Sequence, residues 1–433
     1  MSFEDQEVLS LVRTYELSLE EGRGHYFDVE DLEAIVNYYL DLSSLAEVQQ
    51  AIAYARELHP RSIIFKIKSV QLDIAQKNFA HAQAKIHALE GLGDSNTELL
   101  VAKATLLLHQ GDRKRALEML DDALETAEDP IEVLQAMVDA HLSQGEYLLA
   151  ATALEKLCDL DDELDEGTVY QLALCLDFTH NFDRAIALFE KYTSREPYNP
   201  LLWYQLGAFW TRRRNEQKAE ESFRWAVTAD DTFHAAYFEL GRIYEQRNDL
   251  IQALTAYRQS VSAEVASGYI HFRIGMIEQE LGCPTEALRS FTRAIEIEDD
   301  LDDVHLERAH VLYELKRYDK AAIDYYVAWE DESFEEEDVL DFVECLIELD
   351  RLHEAISILI QAKTRFEDSF QLRLVLAGYL FATDDLAEAE RVLLESLGLN
   401  KNAIVLFEEY FPELLLVPNI PATLARIQEF FND

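Results

Sequence analysis

Basic residues are scarce in this chain. It sets 38 Lys and Arg against 84 Asp and Glu, a formal net charge of −46 over 433 residues. Such a surface repels phosphate instead of displacing its counterions, so neither nucleic acid nor an anionic membrane is expected as a partner. Proline and glycine are also few, 8 and 14. Little therefore interrupts regular structure, and the prevalence of Leu, Ala and Glu favours helix throughout. Only four cysteines occur, Cys158, Cys175, Cys283 and Cys345, with no C-x-x-C pair among them. That spacing argues against a disulfide framework, and each is read as a reduced residue on an apolar stripe. No stretch of about 18 apolar residues could cross a bilayer. The opening MSFEDQEVLS lacks the basic region and apolar run of a signal peptide, so a cytoplasmic location is expected. G-x-G-x-x-G, P-loop, H-E-x-x-H and G-x-S-x-G motifs are all missing; neither catalysis nor a cofactor is expected.

What the chain does have is a repeated helical pattern. Between Asn199 and Asp230, Leu202, Trp203, Leu206, Gly207 and Trp210 fall at helical spacing, and Ala219, Phe223, Ala226 and Val227 do so again after a polar break. Two amphipathic helices folded back on each other satisfy both stripes, with Gly207 and Ala219 small where the helices approach. With Pro200 as position 1, position 20 is occupied in turn by Val48, Ala82, Ala116, Ala150, Ala185, Ala219, Ala253, Ala287, Ala321, Ala355 and Ala389. The spacing is 34 throughout except for 35 between Ala150 and Ala185, which places one extra residue in the acidic loop around Asp162 to Gly167. Position 24 is always large, from Ile52 through Phe223, Tyr257, Phe291 and Tyr325 to Leu393. Geometry predicts that the alanine meets the first helix of its own pair while the larger residue fills the gap towards neighbouring pairs.

This pattern resembles the tetratricopeptide repeat family from Val29 to Lys401. Tryptophan or tyrosine at position 4 (Trp203, Tyr237), Leu-Gly at 7 and 8, Ala at 20 and Phe at 24 carry the likeness. Departures include Ser69, Lys103 and Arg308 at position 7. The resemblance implies an all-α chain, a right-handed superhelical solenoid of about eleven helix-turn-helix repeats with helical caps. The expected layout is a capping helix in 1–28, ahead of Gly22-Arg23-Gly24, then repeats over 29–401, then a degenerate repeat and cap over 402–433 in which Pro412 breaks the first helix.

In the family resembled, the first helix of each repeat lines a concave groove, with positions 2, 5, 6, 9, 12 and 13 towards the ligand. Carried onto this chain, position 5 supplies Tyr170, Tyr204, Phe238 and Phe272 in four consecutive repeats, joined by Tyr269 and Met276, with Arg242 and Arg273 among them. These eight residues are the candidate peptide-binding site; an aromatic at position 5 can equally be structural. The Lys and Asn at positions 5 and 9 of a carboxylate clamp are missing. The function implied is a non-enzymatic scaffold for another protein with basic flanks and an apolar centre. The alternative is a structural subunit that self-associates. RNA binding is opposed by the charge.

No metal site is expected. His305 and His310 point to different sides of a helix, and the acidic runs 159–166 and 330–338 lack the ligand spacing of a calcium loop. Arg212-Arg213-Arg214 stands out as the one basic cluster, read as cations at a helix C-terminus.

Overall fold

The computed structural model describes residues 3–20, 25–90, 96–127, 129–160, 163–261, 267–301, 303–329 and 334–432. Among the described residues every regular element is a helix, and they gather into two compact units, one of Met1–Pro197 with Ala208–Asn215, the other of Tyr198–Gly207 with Glu216–Asp433.

The first unit contains α1 (Phe3–Glu20), α2 (Val29–Asp41), α3 (Leu45–Leu58), α4 (Ile64–Ala75), α5 (Phe79–Leu89), α6 (Thr97–His109), α7 (Arg113–Thr126), α8 (Ile131–Leu142), α9 (Tyr147–Leu160), α10 (Glu166–Phe178) and α11 (Phe182–Arg195). The helix α12 (Pro200–Arg212) is divided between the units after Gly207. The second unit continues with α13 (Glu216–Ala229), α14 (His234–Gln246), α15 (Leu250–Ser260), α16 (Gly268–Glu280), α17 (Pro284–Ile297), α18 (Val304–Glu314), α19 (Tyr318–Ala328), α20 (Glu336–Glu348), α21 (Leu352–Arg365), α22 (Phe370–Ala382), α23 (Leu386–Leu399), α24 (Ala403–Tyr410), a 3-10 turn at Pro412–Leu416 and α25 (Ile420–Asn432). From α2 onwards even-numbered helices are first helices and odd-numbered ones second helices. In the first unit the first helices α2, α4, α6 and α8 each touch the next in turn, and in the second α16, α18 and α20 do the same, as do α22 and α24. Over these stretches the first helices form a packed layer.

One backbone feature repeats at every turn between paired helices. Ser43, Lys77, Gly111, Gly145, His180, Arg214, Asn248, Gly282, Lys316, Asp350 and Asp384 all adopt positive φ, between 52° and 83°. Their spacing is 34 residues with the single 35 between Gly145 and His180, the same slip as in the alanine series. The following amide closes back across the turn, as from Asn78 to the Asp73 carbonyl at 2.7 Å and from Asp385 to that of Leu380 at 3.0 Å. This left-handed termination satisfies carbonyls that the ending helix leaves free. The extra residue falls between α9 and α10, separated by 161–165 where α11 and α12 are separated by 196–199; residues 161 and 162 lie outside the described residues, as do 21–24, where the first helix was expected to end.

Every position-20 residue is buried, none above 1 % exposed. The position-24 residue reaches both ways. Towards its own pair, a Cβ on Gly207, Gly241 or Gly275 would lie 2.6, 2.7 or 2.6 Å from the rings of Phe223, Tyr257 and Phe291 respectively, so glycine at position 8 is the complement of an aromatic at position 24. Towards the next pair, as expected, Phe189 meets Phe209 at 5.5 Å and Tyr325 meets Phe342 at 5.5 Å. The unusual position-7 residues are likewise matched. Arg308 makes a two-pronged ion pair with Asp324, which is 2 % exposed, at 2.7 Å on each prong, and Lys103 meets Glu90 at 3.3 Å.

At the N-terminus Val12 and Tyr15 of α1 are buried with Leu32, Ile35 and Val36 of α2. At the other end the Phe411 ring beyond α24 occupies the space a Cβ on Gly378 would need, at 2.3 Å. Cys158, Cys175 and Cys345 are buried, whereas Cys283 is exposed at the start of α17, off the apolar stripe.

Candidate functional site

Three of the candidate residues share one geometry. Tyr204, Phe238 and Phe272 each set a ring against the position-24 ring of the same pair, Phe223, Tyr257 and Phe291, at centroid distances of 5.7, 5.8 and 5.9 Å. Because positions 5 and 8 lie on one side of the first helix, the ring admitted by the glycine also supports the aromatic beside it. Each of the three is consequently half-buried.

Two of these rings open onto a hollow. Tyr204, Phe238, Tyr269, Ile270, His234 and Ser260 line a cavity of about 340 Å³ in the second unit. Tyr204 reaches Phe233 at 5.5 Å and Phe238 reaches Tyr269 at 6.4 Å, so the aromatic wall runs from one pair to the next. Tyr269 is the most accessible part of that wall, at 44 % exposed. Arg273 and Met276 border a second hollow of about 290 Å³ with Glu245 and Glu280. Phe272 and Met276 also pack against the core of Ala287, Phe291 and Val311.

The two arginines already have partners. Arg242 is exposed and pairs with Glu239 at 3.0 Å, one turn back on its own helix. Arg273 pairs with Glu245, which also accepts the Tyr257 hydroxyl at 2.7 Å. Burial opposes the Arg273 charge, but the Glu245 carboxylate outweighs it and raises its pKa; burial, then Glu245, pushes the Tyr257 phenol up. Tyr170 belongs to the first unit. It is 50 % exposed, and burial of the rest followed by the nearby Glu166 raises its phenol.

Two polar side chains of this hollow are engaged with backbone. The Ser260 hydroxyl donates to the Tyr257 carbonyl at 2.8 Å, and a His234 ring nitrogen is engaged with the Gln259 carbonyl at 3.0 Å. The hollow offers an apolar, aromatic contact surface, and the neighbouring hollow carries the carboxylates Glu245 and Glu280. Among the described residues no three His, Cys, Asp or Glu are placed to hold a metal ion, and no helix is long and apolar enough to cross a membrane. His305 instead meets Asp324 at 3.0 Å and His310 meets Asp338 at 2.9 Å.

Sequence reasoning missed two features. Lys68 is 1 % exposed in the first-helix layer, 3.2 Å from Glu33 and 3.8 Å from Glu132. Arg212-Arg213-Arg214 is also not where cations stand out: Arg212 pairs with Asp177 at 3.0 Å and Arg213 with Asp183 at 3.1 Å. Between Val48 and Leu89 there are six Lys and Arg against two Asp and Glu, and a running charge tally would have exposed it.

Residues 170–232 and 272–333 match a family described as Tetratricopeptide repeat, and residues 234–264 match a second family of the same description. Over those residues the chain is similar to the tetratricopeptide repeat family. Among solved structures it is similar to the C-terminal part of a TPR repeat-containing protein from Cytophaga hutchinsonii, at 16 % identity and TM-score 0.38, covering 62 % of this chain and 96 % of that one. It is likewise similar to pilF of Pseudomonas aeruginosa (16 %, TM-score 0.38, 48 % and 94 % covered) and to YrrB, a TPR protein with an unusual peptide-binding site (15 %, 0.37, 41 % and 91 %). No curated protein matches the chain.

Proposed function

We propose that this protein is a non-enzymatic scaffold whose first-helix face in the second unit holds a segment of another protein. The hollow of about 340 Å³ between Tyr204, Phe238 and Tyr269 is the observation that carries the reading. It is large enough for one or two apolar side chains, and aromatic walls supply contact area at low entropic cost. Glu280 nearby and an overall charge of −46 favour a partner with basic flanks and speed its approach. The supporting array is proposed to run over 29–401 between caps at 1–28 and 402–433, in the cytoplasm; the recurrence of the positive-φ turn from Ser43 to Asp384 supports that frame. Tyr269→Ala tests the reading better than Phe238→Ala, since Phe238 also supports Tyr257. Partner capture from native lysate should fall with Tyr269→Ala while the melting temperature stays within about 1 °C, a surface-sized effect. Capture unchanged by Tyr269→Ala would refute it.

A second reading, self-association, is favoured by Tyr170, Leu174 and Phe178. They follow one another at four-residue spacing on α10 and are 50, 55 and 54 % exposed. Light scattering decides: a monomer that stays a monomer on concentration excludes it.

A further inference from the structure

The stretch from Val48 to Leu89, with six cations and two acids in a chain of net charge −46, folds so that part of its charge converges. Arg56 from α3, Lys66 and Ser69 from α4 and Lys85 from α5 line a hollow of about 280 Å³, closed on its apolar side by Ala88 and Leu89. Lys85 is held in place: its ammonium donates to the Ser69 carbonyl at 3.1 Å and lies 2.7 Å from the buried Asp73 carboxylate, close but poorly aligned for a hydrogen bond. Arg56 and Lys66 have no ion-pair partner among the described residues, and Ser69 is 5 % exposed. Of the charged side chains that line the hollow or pair with its lining, three are cationic and one, Asp73, is anionic, a balance of about +2 at its wall.

We propose that this hollow is a binding site for a phosphate group. A phosphomonoester carries about −1.5 to −2 charges near neutral pH and offers three acceptor oxygens, which matches the local charge and the donors of Arg56, Lys66 and Lys85. A carboxylate brings one charge and two oxygens, and would leave a cation unmatched. Its lining shares no residue with the aromatic hollow of the second unit, so the two proposals stand or fall independently.

The phosphate can be free or carried by a phosphorylated side chain, and calorimetry on the full chain at low ionic strength separates the two. Inorganic phosphate is titrated in one arm; a short uncharged peptide bearing one phosphoserine, and its unphosphorylated counterpart, are titrated in the other. Saturable binding of phosphate or of the phosphopeptide, weakened about tenfold or more by Lys66→Glu and again by Arg56→Glu, is the expected result. Tighter binding of the phosphopeptide than of phosphate assigns the site to a phosphorylated partner; the reverse order assigns it to the free anion. Arg56 is exposed and Lys66 half-buried, so the Arg56→Glu variant should melt like the parent, and circular dichroism checks that both variants fold. Saturation by neither probe, or equal binding by the Arg56→Glu, Lys66→Glu double variant, overturns the proposal.

Discussion

Gly241→Ala makes the pairing of glycine with an aromatic measurable, because two effects of known size oppose each other. In a helix interior, alanine is favoured over glycine by about 1 kcal/mol. Against that, the new Cβ would lie 2.7, 2.8 and 3.0 Å from three atoms of the Tyr257 ring. That ring cannot yield cheaply: it is 1 % exposed, its hydroxyl is tied to Glu245 at 2.7 Å and its face packs on Phe238. Overpacking of this kind costs about 1–3 kcal/mol. The clash should win, for a net loss of up to about 2 kcal/mol, read as a fall of up to roughly 4–8 °C in melting temperature for a unit of this size. The same exchange at Gly398, inside α23 with nothing within 4 Å of the new Cβ, should instead stabilise, by up to about 1 kcal/mol. Urea unfolding of both variants, and of Gly241→Ala combined with Tyr257→Leu, closes the argument; the pair Ala104 and Leu120 already uses that combination. A coupling of about 1 kcal/mol or more between positions 241 and 257 is expected. If Gly241→Ala stabilises like Gly398→Ala, the reasoning about position 8 is wrong.

Position 24 also yields a contrast between two tyrosines. The Tyr325 hydroxyl is buried without a hydrogen-bond partner among the described residues, so Tyr325→Phe should be neutral or stabilising by about 1 kcal/mol, whereas Tyr257→Phe, which loses the Glu245 bond, should cost about 1 kcal/mol in the same denaturation assay. Burial alone would lower the His310 imidazole, but hydrogen bonds to Asp338 and Glu307 outweigh it and raise it to about 9. A raised histidine stabilises below its unfolded value of about 6.5 and loses that contribution as pH climbs through 9, so the melting temperature should fall across that window and His310→Asn should flatten the fall. Glu98, pushed up to about 7 chiefly by burial, with Lys68 opposing and Glu33 and Glu132 adding to it, acts in the same direction between about pH 4.5 and 7. Finally, with −46 charges repelling one another, melting should rise between low salt and about 0.3 M; a flat response would mean that bound cations already neutralise the surface.

The sequence by itself determined the helices, their pairing and their period, because those depend on local patterns written many times over. One misplaced apolar residue is outvoted by ten other copies, and the slip between Ala150 and Ala185 reappears unchanged in the turn geometry between Gly145 and His180. The aromatic run at position 5 was equally legible, since it needs only the frame. Only the tertiary structure decided where those rings go. Phe223, Tyr257 and Phe291 face the glycine of their own pair, a consequence of how closely two helix axes approach, which no single helix encodes. It also decided that Arg273 meets Glu245, and that Arg308, a departure from the family pattern, is answered by Asp324. Charge partners sixteen or twenty-eight residues apart are set by stacking distance, and in a chain with 84 acids the sequence offers too many candidates to choose among. The basic hollow shows the same division of labour. Its composition is visible between Val48 and Leu89, but that Arg56, Lys66 and Lys85 converge while Lys68 turns away into the first-helix layer follows from packing three helices against one another.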